Sequence, residues 1–202
     1  MTELQRLPAP YRDLVTVYPF DDFGWFDEPK QATLQRLIEK HDVRDMVELG
    51  SFLGKSTRWF ARTIPSGGQV HAVDHWEGNR EHQAPERSDV YPRLASLYER
   101  FLSNVVHAGL CDSIVPYRMN SRSAADQLDV IPDLVFVDAS HEFDDVLVDL
   151  ASWYPRLRPG GVLCGDDWTW GETRPVARAV ETFARDHDLE VQVQGKIWWI
   201  LR

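Results

Sequence analysis

Apolar residues recur along this chain in two rhythms. Short, largely apolar runs read as buried strands: Met46-Val47-Glu48-Leu49, Val70 to Asp74, Ile114 to Arg118, Leu134 to Asp138 and Val162 to Gly165. Between them, apolar side chains return every third or fourth position. The clearest such stretch places Val146, Leu150, Trp153, Tyr154 and Leu157 on one helical stripe. Glu142, Asp144 and Asp145 suit the positive amino end of that helix, and Pro159-Gly160-Gly161 stops it. Asp27-Glu28-Pro29 opens another helix, with Leu34, Leu37 and Ile38 on one face. Further helices are expected near Lys55 to Thr63, Arg93 to Ala108, Ser121 to Leu128 and Val176 to His187. Glu190 to Gln194 and Lys196 to Leu201 lie close enough to pair as a hairpin around Gly195. Strands alternating with helices predict an α/β fold: a single Rossmann-like domain with a mostly parallel seven-stranded sheet, helices on both faces and a C-terminal antiparallel hairpin. Residues 1–26, rich in Pro, Asp and aromatics, read as an irregular lead-in to a domain over 27–202. Glu77 to Asp89 is charged and aperiodic, a surface loop placed to serve as a lid.

Composition narrows the partners. A chain of 202 residues can bury a full core as one domain. Its net charge of −10 argues against nucleic acid, because phosphate binding needs a basic surface. No apolar run approaches the roughly 20 residues of a membrane span. The polar stretch Met1 to Pro10 lacks the apolar core of a secretory signal. Cys111 and Cys164 are far apart with no CxxC, as expected of free thiols in a cytoplasmic, reducing setting.

Chemistry gathers at strand ends. Asp138 closes one apolar run, and Asp166-Asp167 close the next. If those strands are parallel neighbours, their ends lie roughly 4.8 Å apart. At an effective dielectric near 20, two unit charges about 4 Å apart repel by roughly 4 kcal/mol. A divalent cation at Asp138, Asp166 and Asp167 relieves that repulsion. Oxygen donors favour Mg²⁺, with Ca²⁺ or Mn²⁺ also fitting. His141, at the opening of the crossover helix, is a candidate general base, against the plainer reading of a capping or surface histidine. Trp168 and Trp170 could wall an aromatic or sugar substrate or simply pack beneath their loop. After the first strand, Gly50 and Gly54 leave room for a ligand to approach the backbone. The spacing is neither GxGxxG nor that of a phosphate-binding P-loop, and tight turns use glycine for geometry alone. It gains weight with Asp74, which ends the second strand and can accept hydrogen bonds from ribose hydroxyls.

Glu48-x-Gly50-x-x-x-Gly54 with Asp74 resembles the S-adenosylmethionine site of class I methyltransferases. Glu48 to Thr57, Val73-Asp74-His75-Trp76, Asp138-Ala139-Ser140-His141 and the block Pro159 to Trp168 are similar to the small-molecule O-methyltransferase group called methyltransferase family 24, or macrocin-type. The resemblance runs from about Trp25 to the carboxyl end. It implies Glu48, Gly50 and Ser51 along the methionine and ribose of the cofactor, with Gly54 completing the loop. It also implies Asp74 on the ribose, His75 or Trp76 near the adenine, Asn120-Ser121 at the adenine edge, and Asp138 bordering cofactor and acceptor alike. Asp138 and Asp166-Asp167 resemble the Asp and Asp-Asp pair with which catechol-type O-methyltransferases hold magnesium. The implied activity is Mg²⁺-dependent O-methylation of a small-molecule hydroxyl, phenolic, catechol-like or sugar-borne, in a homodimer. A nucleotide- or NAD-binding Rossmann-like protein, or one without turnover, is the competing reading.

Overall fold

A computed structural model of the chain describes residues 4–202. The first three residues of the expected lead-in lie outside the described residues. Seven strands form one sheet in the order β3-β2-β1-β4-β5-β7-β6. These are β1 (Asp45–Leu49), β2 (Gln69–Asp74), β3 (Ile114–Arg118), β4 (Leu134–Val137), β5 (Val162–Gly165), β6 (Gln192–Gln194) and β7 (Ile197–Leu201). The first five run parallel, and β7 joins β5 and β6 antiparallel, as the hairpin pattern predicts. The helices are α1 (Glu28–Lys40), α2 (Lys55–Thr63), α3 (Leu97–Ala108), α4 (Ser121–Gln127), α5 (Phe143–Trp153) and α6 (Pro175–Asp186).

Alternate residues of each central strand feed opposite cores. Met46, Leu134 and Phe136 pack with Leu34, Phe60 and Phe101 of α1, α2 and α3. Val47, Leu49, Val135 and Val137 pack with Ala124, Leu150 and Val180 of α4, α5 and α6. Both faces are therefore dry, which is why these strands read as apolar runs rather than alternations. Strand order reverses between β1 and β4, and open parallel sheets bind ligands where their strands part in this way. Among the described residues no helix is long and apolar enough to cross a membrane.

The lead-in is more ordered than its composition suggests. Tyr11 is fully buried, and its hydroxyl donates to the Ile114 carbonyl at 2.8 Å. Asn104, buried on α3, ties the segment down: its amide donates to the Asp21 and Leu53 carbonyls, each at 2.9 Å, and its oxygen accepts from the Asp21 N–H. One side chain thereby joins lead-in, β1–α2 loop and α3. The helix expected from Arg93 starts at Leu97, preceded by a 3₁₀ turn over Tyr91–Ser96. Asn104→Ala should leave buried polar groups unpaired and lower unfolding stability by about 1–3 kcal/mol, measured by urea denaturation. Cleavage of the lead-in by limited proteolysis should accelerate with it.

Candidate functional site

The site begins where β1 ends. A Cβ on Gly50 would lie 2.1 Å from the Asp138 carbonyl oxygen, so only glycine lets the ends of β1 and β4 close up. Gly54 takes a left-handed φ of +77°, and a Cβ there would meet the Phe101 ring at 2.9 Å; it serves packing and lines neither of the two chambers that adjoin this turn. Glu48 lines neither of them. It is wholly buried behind the loop and accepts hydrogen bonds from Ser51 (2.7 Å), Ser56 (2.5 Å) and Thr57. The acidic residue of the motif thus shapes the glycine turn from beneath, while Gly50 and Ser51 face the cleft.

Two chambers adjoin this turn. The larger, about 460 Å³, is walled by Gly50, Asp74, His75, Asn120, Ser121 and Asp149, among others. Asp74 accepts the Phe52 N–H at 2.9 Å and the Trp76 N–H at 2.6 Å. Burial raises its pKa, opposed by those two backbone donors. His75 stands at the wall, but Trp76 turns into the core against Tyr98 and Phe101, its indole N–H donating to the Phe52 carbonyl. Asn120 caps α4 through the Ser123 N–H at 2.8 Å, and Ser121 donates to Asp149. Asp149 was not anticipated. It lies beside Leu150 on α5, where it is buried and its pKa is pushed up to about 6 by that burial.

The smaller chamber, about 240 Å³, holds the acidic corner. It shares Gly50, Phe52, Asn79, His82, Asp138 and Ala139 with the larger one, so the two meet at Asp138. Ligand atoms of Asp138, His141 and Asp167 all lie within 4.8 Å of one another. Asp166 lines the same chamber but lies outside that close group, paired with the ammonium of Lys30, both side chains buried. Its other oxygen accepts the Asp167 N–H at 2.7 Å. Asp167 adopts a left-handed φ of +62°, which separates the directions of two neighbouring carboxylates. His141 sits between Asp167 (Nε2, 2.9 Å) and Glu81 (Nδ1, 3.3 Å). Burial lowers its pKa, but the hydrogen bond and charge of Asp167 and the charge of Glu81 outweigh that and raise it overall. Trp170 stacks on His141 with centroids 4.3 Å apart, whereas Trp168 packs on the core under Arg174.

Asp138 differs from the other buried acids. Glu48, Asp74, Asp149 and Asp166 each receive protein donors, but among the described residues none donates to the Asp138 carboxylate. Its pKa is driven well above the carboxylate range, first by burial and then by the charges of Asp166 and Asp167, with Lys30 opposing. A carboxylate so placed, with oxygen and nitrogen donors around it, suits a bound cation.

Lys30 and Glu81 escaped the sequence reading. Lys30 carried a signal: it falls one turn before Leu34 and two before Leu37, on the buried face of α1. Glu81 carried none beyond its place in the loop after β2.

Residues 47–168, more than half of the chain, match the family Methyltransf_24, described as a methyltransferase domain. The chain belongs to this family and is a class I S-adenosylmethionine-dependent methyltransferase. It is similar in fold to an O-methyltransferase from Bacillus cereus solved in complex with SAH, at 19% identity and TM-score 0.60, covering 88% of this chain and 83% of that one. It is also similar to the O-methyltransferase TomG from Streptomyces achromogenes, involved in tomaymycin synthesis and solved with SAM, at 18% identity and TM-score 0.62, covering 100% and 98%.

The clamp beneath the glycine turn has a pH signature. Burial pushes Glu48 up to about 7 from an ordinary 4.5, despite hydroxyl donors that favour its charged form. A folded value above the unfolded one means stability that is full below pH 4.5 and is lost as pH rises through about 7. Glu48→Gln should flatten that fall, on the order of 3 kcal/mol, in urea denaturation curves taken across the window.

Proposed function

We propose that the chain transfers a methyl group from S-adenosylmethionine to a hydroxyl oxygen of a small molecule, with a divalent cation held in the acidic corner. The observation that carries this reading is the meeting of the two chambers at Asp138, one bearing Asp74 and the other the Asp138–His141–Asp167 cluster. The cofactor's sulfonium supplies an electrophilic methyl, and a cation at Asp138 and Asp167 would favour ionisation of an acceptor hydroxyl.

The chain's own residues provide placement. Asp74 keeps acceptor capacity beyond its two backbone bonds and would take the ribose hydroxyls. Asn120 and Ser121 border the far end of that chamber, where an adenine would lie. Gly50 lets the end of β1 close against the Asp138 backbone, which sets that residue where the chambers meet. Phe23, Trp25, Phe52 and Trp170 present rings to the acceptor chamber and limit its water. Holding donor and acceptor in line is worth up to about 7–11 kcal/mol in favourable cases. Bound there, the cofactor would supply the methyl group, its S–CH₃ bonding pair staying on sulfur as the ionised acceptor oxygen takes the methyl in a new O–CH₃ bond. The hydroxyl proton passes to solvent. His141 stands between the Asp167 and Glu81 carboxylates, which hold its ring at the acidic corner.

Calorimetry with S-adenosylhomocysteine and a mass-spectrometric methyl-transfer assay over phenols, catechols and sugars test the proposal. Asp74→Asn, which keeps an acceptor for the Phe52 and Trp76 N–H groups, should weaken S-adenosylhomocysteine binding by about 10–100-fold, or 1.4–2.8 kcal/mol, while the protein stays folded by circular dichroism. Wild-type protein that binds no S-adenosylhomocysteine would sink this reading.

A further inference from the structure

Resting on the cation of the proposed function, we infer that the ion is held by two carboxylates and one imidazole, Asp138, Asp167 and His141, and that Lys30 keeps Asp166 out of the ligand set. Adjacent aspartates after β5 invite the assumption that both bind. Their surroundings separate them. Each Asp166 oxygen already has a partner, Lys30 Nζ on one and the Asp167 N–H on the other. Lys30 is anchored in turn by the Trp25 carbonyl, which accepts from its ammonium at 2.7 Å. Bringing Asp166 to an ion would strand a buried ammonium, and breaking a buried pair is strongly unfavourable. The left-handed turn at Asp167 leaves that carboxylate free to face Asp138 and His141 instead.

His141 is held as a ligand would be. Glu81 Oε1 lies 3.3 Å from Nδ1 and would keep the proton on that nitrogen once a cation takes Nε2. A carboxylate behind a ligating imidazole is the usual means of fixing its tautomer and ring direction. The Trp170 stack restrains the same ring from its face. Glu81, in the loop after β2, is therefore a positioning residue, and Lys30 is a second, acting through Asp166. One nitrogen in the set moves preference from Mg²⁺ toward imidazole-accepting ions such as Mn²⁺.

The test uses the full chain with S-adenosylhomocysteine, MnCl₂ or MgCl₂, calorimetry, and pulsed electron paramagnetic resonance of the Mn²⁺ form. The expected results are Mn²⁺ bound at least about tenfold more tightly than Mg²⁺, and about a tenfold loss of Mn²⁺ affinity in His141→Gln and in Glu81→Gln. Asp166→Asn should stay within about threefold of wild type, since it removes no ligand. Should Asp166→Asn fail to fold, the wild-type spectrum still decides: imidazole nitrogen coupling to Mn²⁺ is expected, and it should vanish in His141→Gln. Bound Mn²⁺ without nitrogen coupling, or affinity lost in folded Asp166→Asn but kept in His141→Gln, overturns the inference and leaves the cation reading standing. No Mn²⁺ or Mg²⁺ binding overturns both.

Discussion

A buried carboxylate has to be matched where it stands, and most of this protein's cleft is organised around that requirement. Three hydroxyls match Glu48, two backbone N–H groups match Asp74, a serine matches Asp149, and Lys30 with a backbone N–H matches Asp166. Each match also fixes something next to it: the glycine turn, the second strand's exit, the start of α4, and the position of α1 against β5. Among the described residues Asp138 has no such partner, and it stands where both chambers open. Matching those four acids while leaving this one bare concentrates unbalanced charge at the point where chemistry is proposed.

The backbone architecture was legible because it follows from repetition. Apolar runs, helical stripes and a proline-glycine stop report on many residues at once, and they predicted the sheet, its hairpin edge and the strand-end placement of Asp74, Asp138 and Asp167. Side-chain direction was less legible because single contacts set it. Glu48 turned behind the loop rather than along the cleft, since three hydroxyls within nine residues could reach it there. Trp76 went into the core because a left-handed φ of +53° aims it between Tyr98 and Phe101. Lys30 meets Asp166 across most of the chain, a pairing no local window contains. Its apolar neighbours on α1 were the available hint.

Donor and acceptor sides draw on different kinds of structure. Sheet ends and helix starts build the larger chamber, the proposed donor side, with Asp74, Gly50, Asn120 and Ser121 among its walls. Excursions supply much of the acceptor side: Phe23 and Trp25 from the lead-in, Glu81 and His82 from the loop after β2, and Trp170 from the loop after β5. Trp25 and His82 lie stacked 5.9 Å apart, so lead-in and loop close over the chamber together. On the proposed reading, methyl-donor binding therefore rests on sheet ends and helix starts, and acceptor choice on the segments that connect them.

His141 is where the two kinds of structure bear on each other. It stands between β4 and α5, but its neighbours Glu81 and Trp170 come from two of those excursions. A change in the loop after β2 therefore reaches the imidazole directly, through one carboxylate at 3.3 Å, without moving the sheet. Asp167 reaches it from the other side at 2.9 Å, through its left-handed turn. Charge balance in the acidic corner and closure over the acceptor chamber are thus not independent. The same histidine answers to both, so an acceptor that displaces the loop would also disturb the groups facing Asp138.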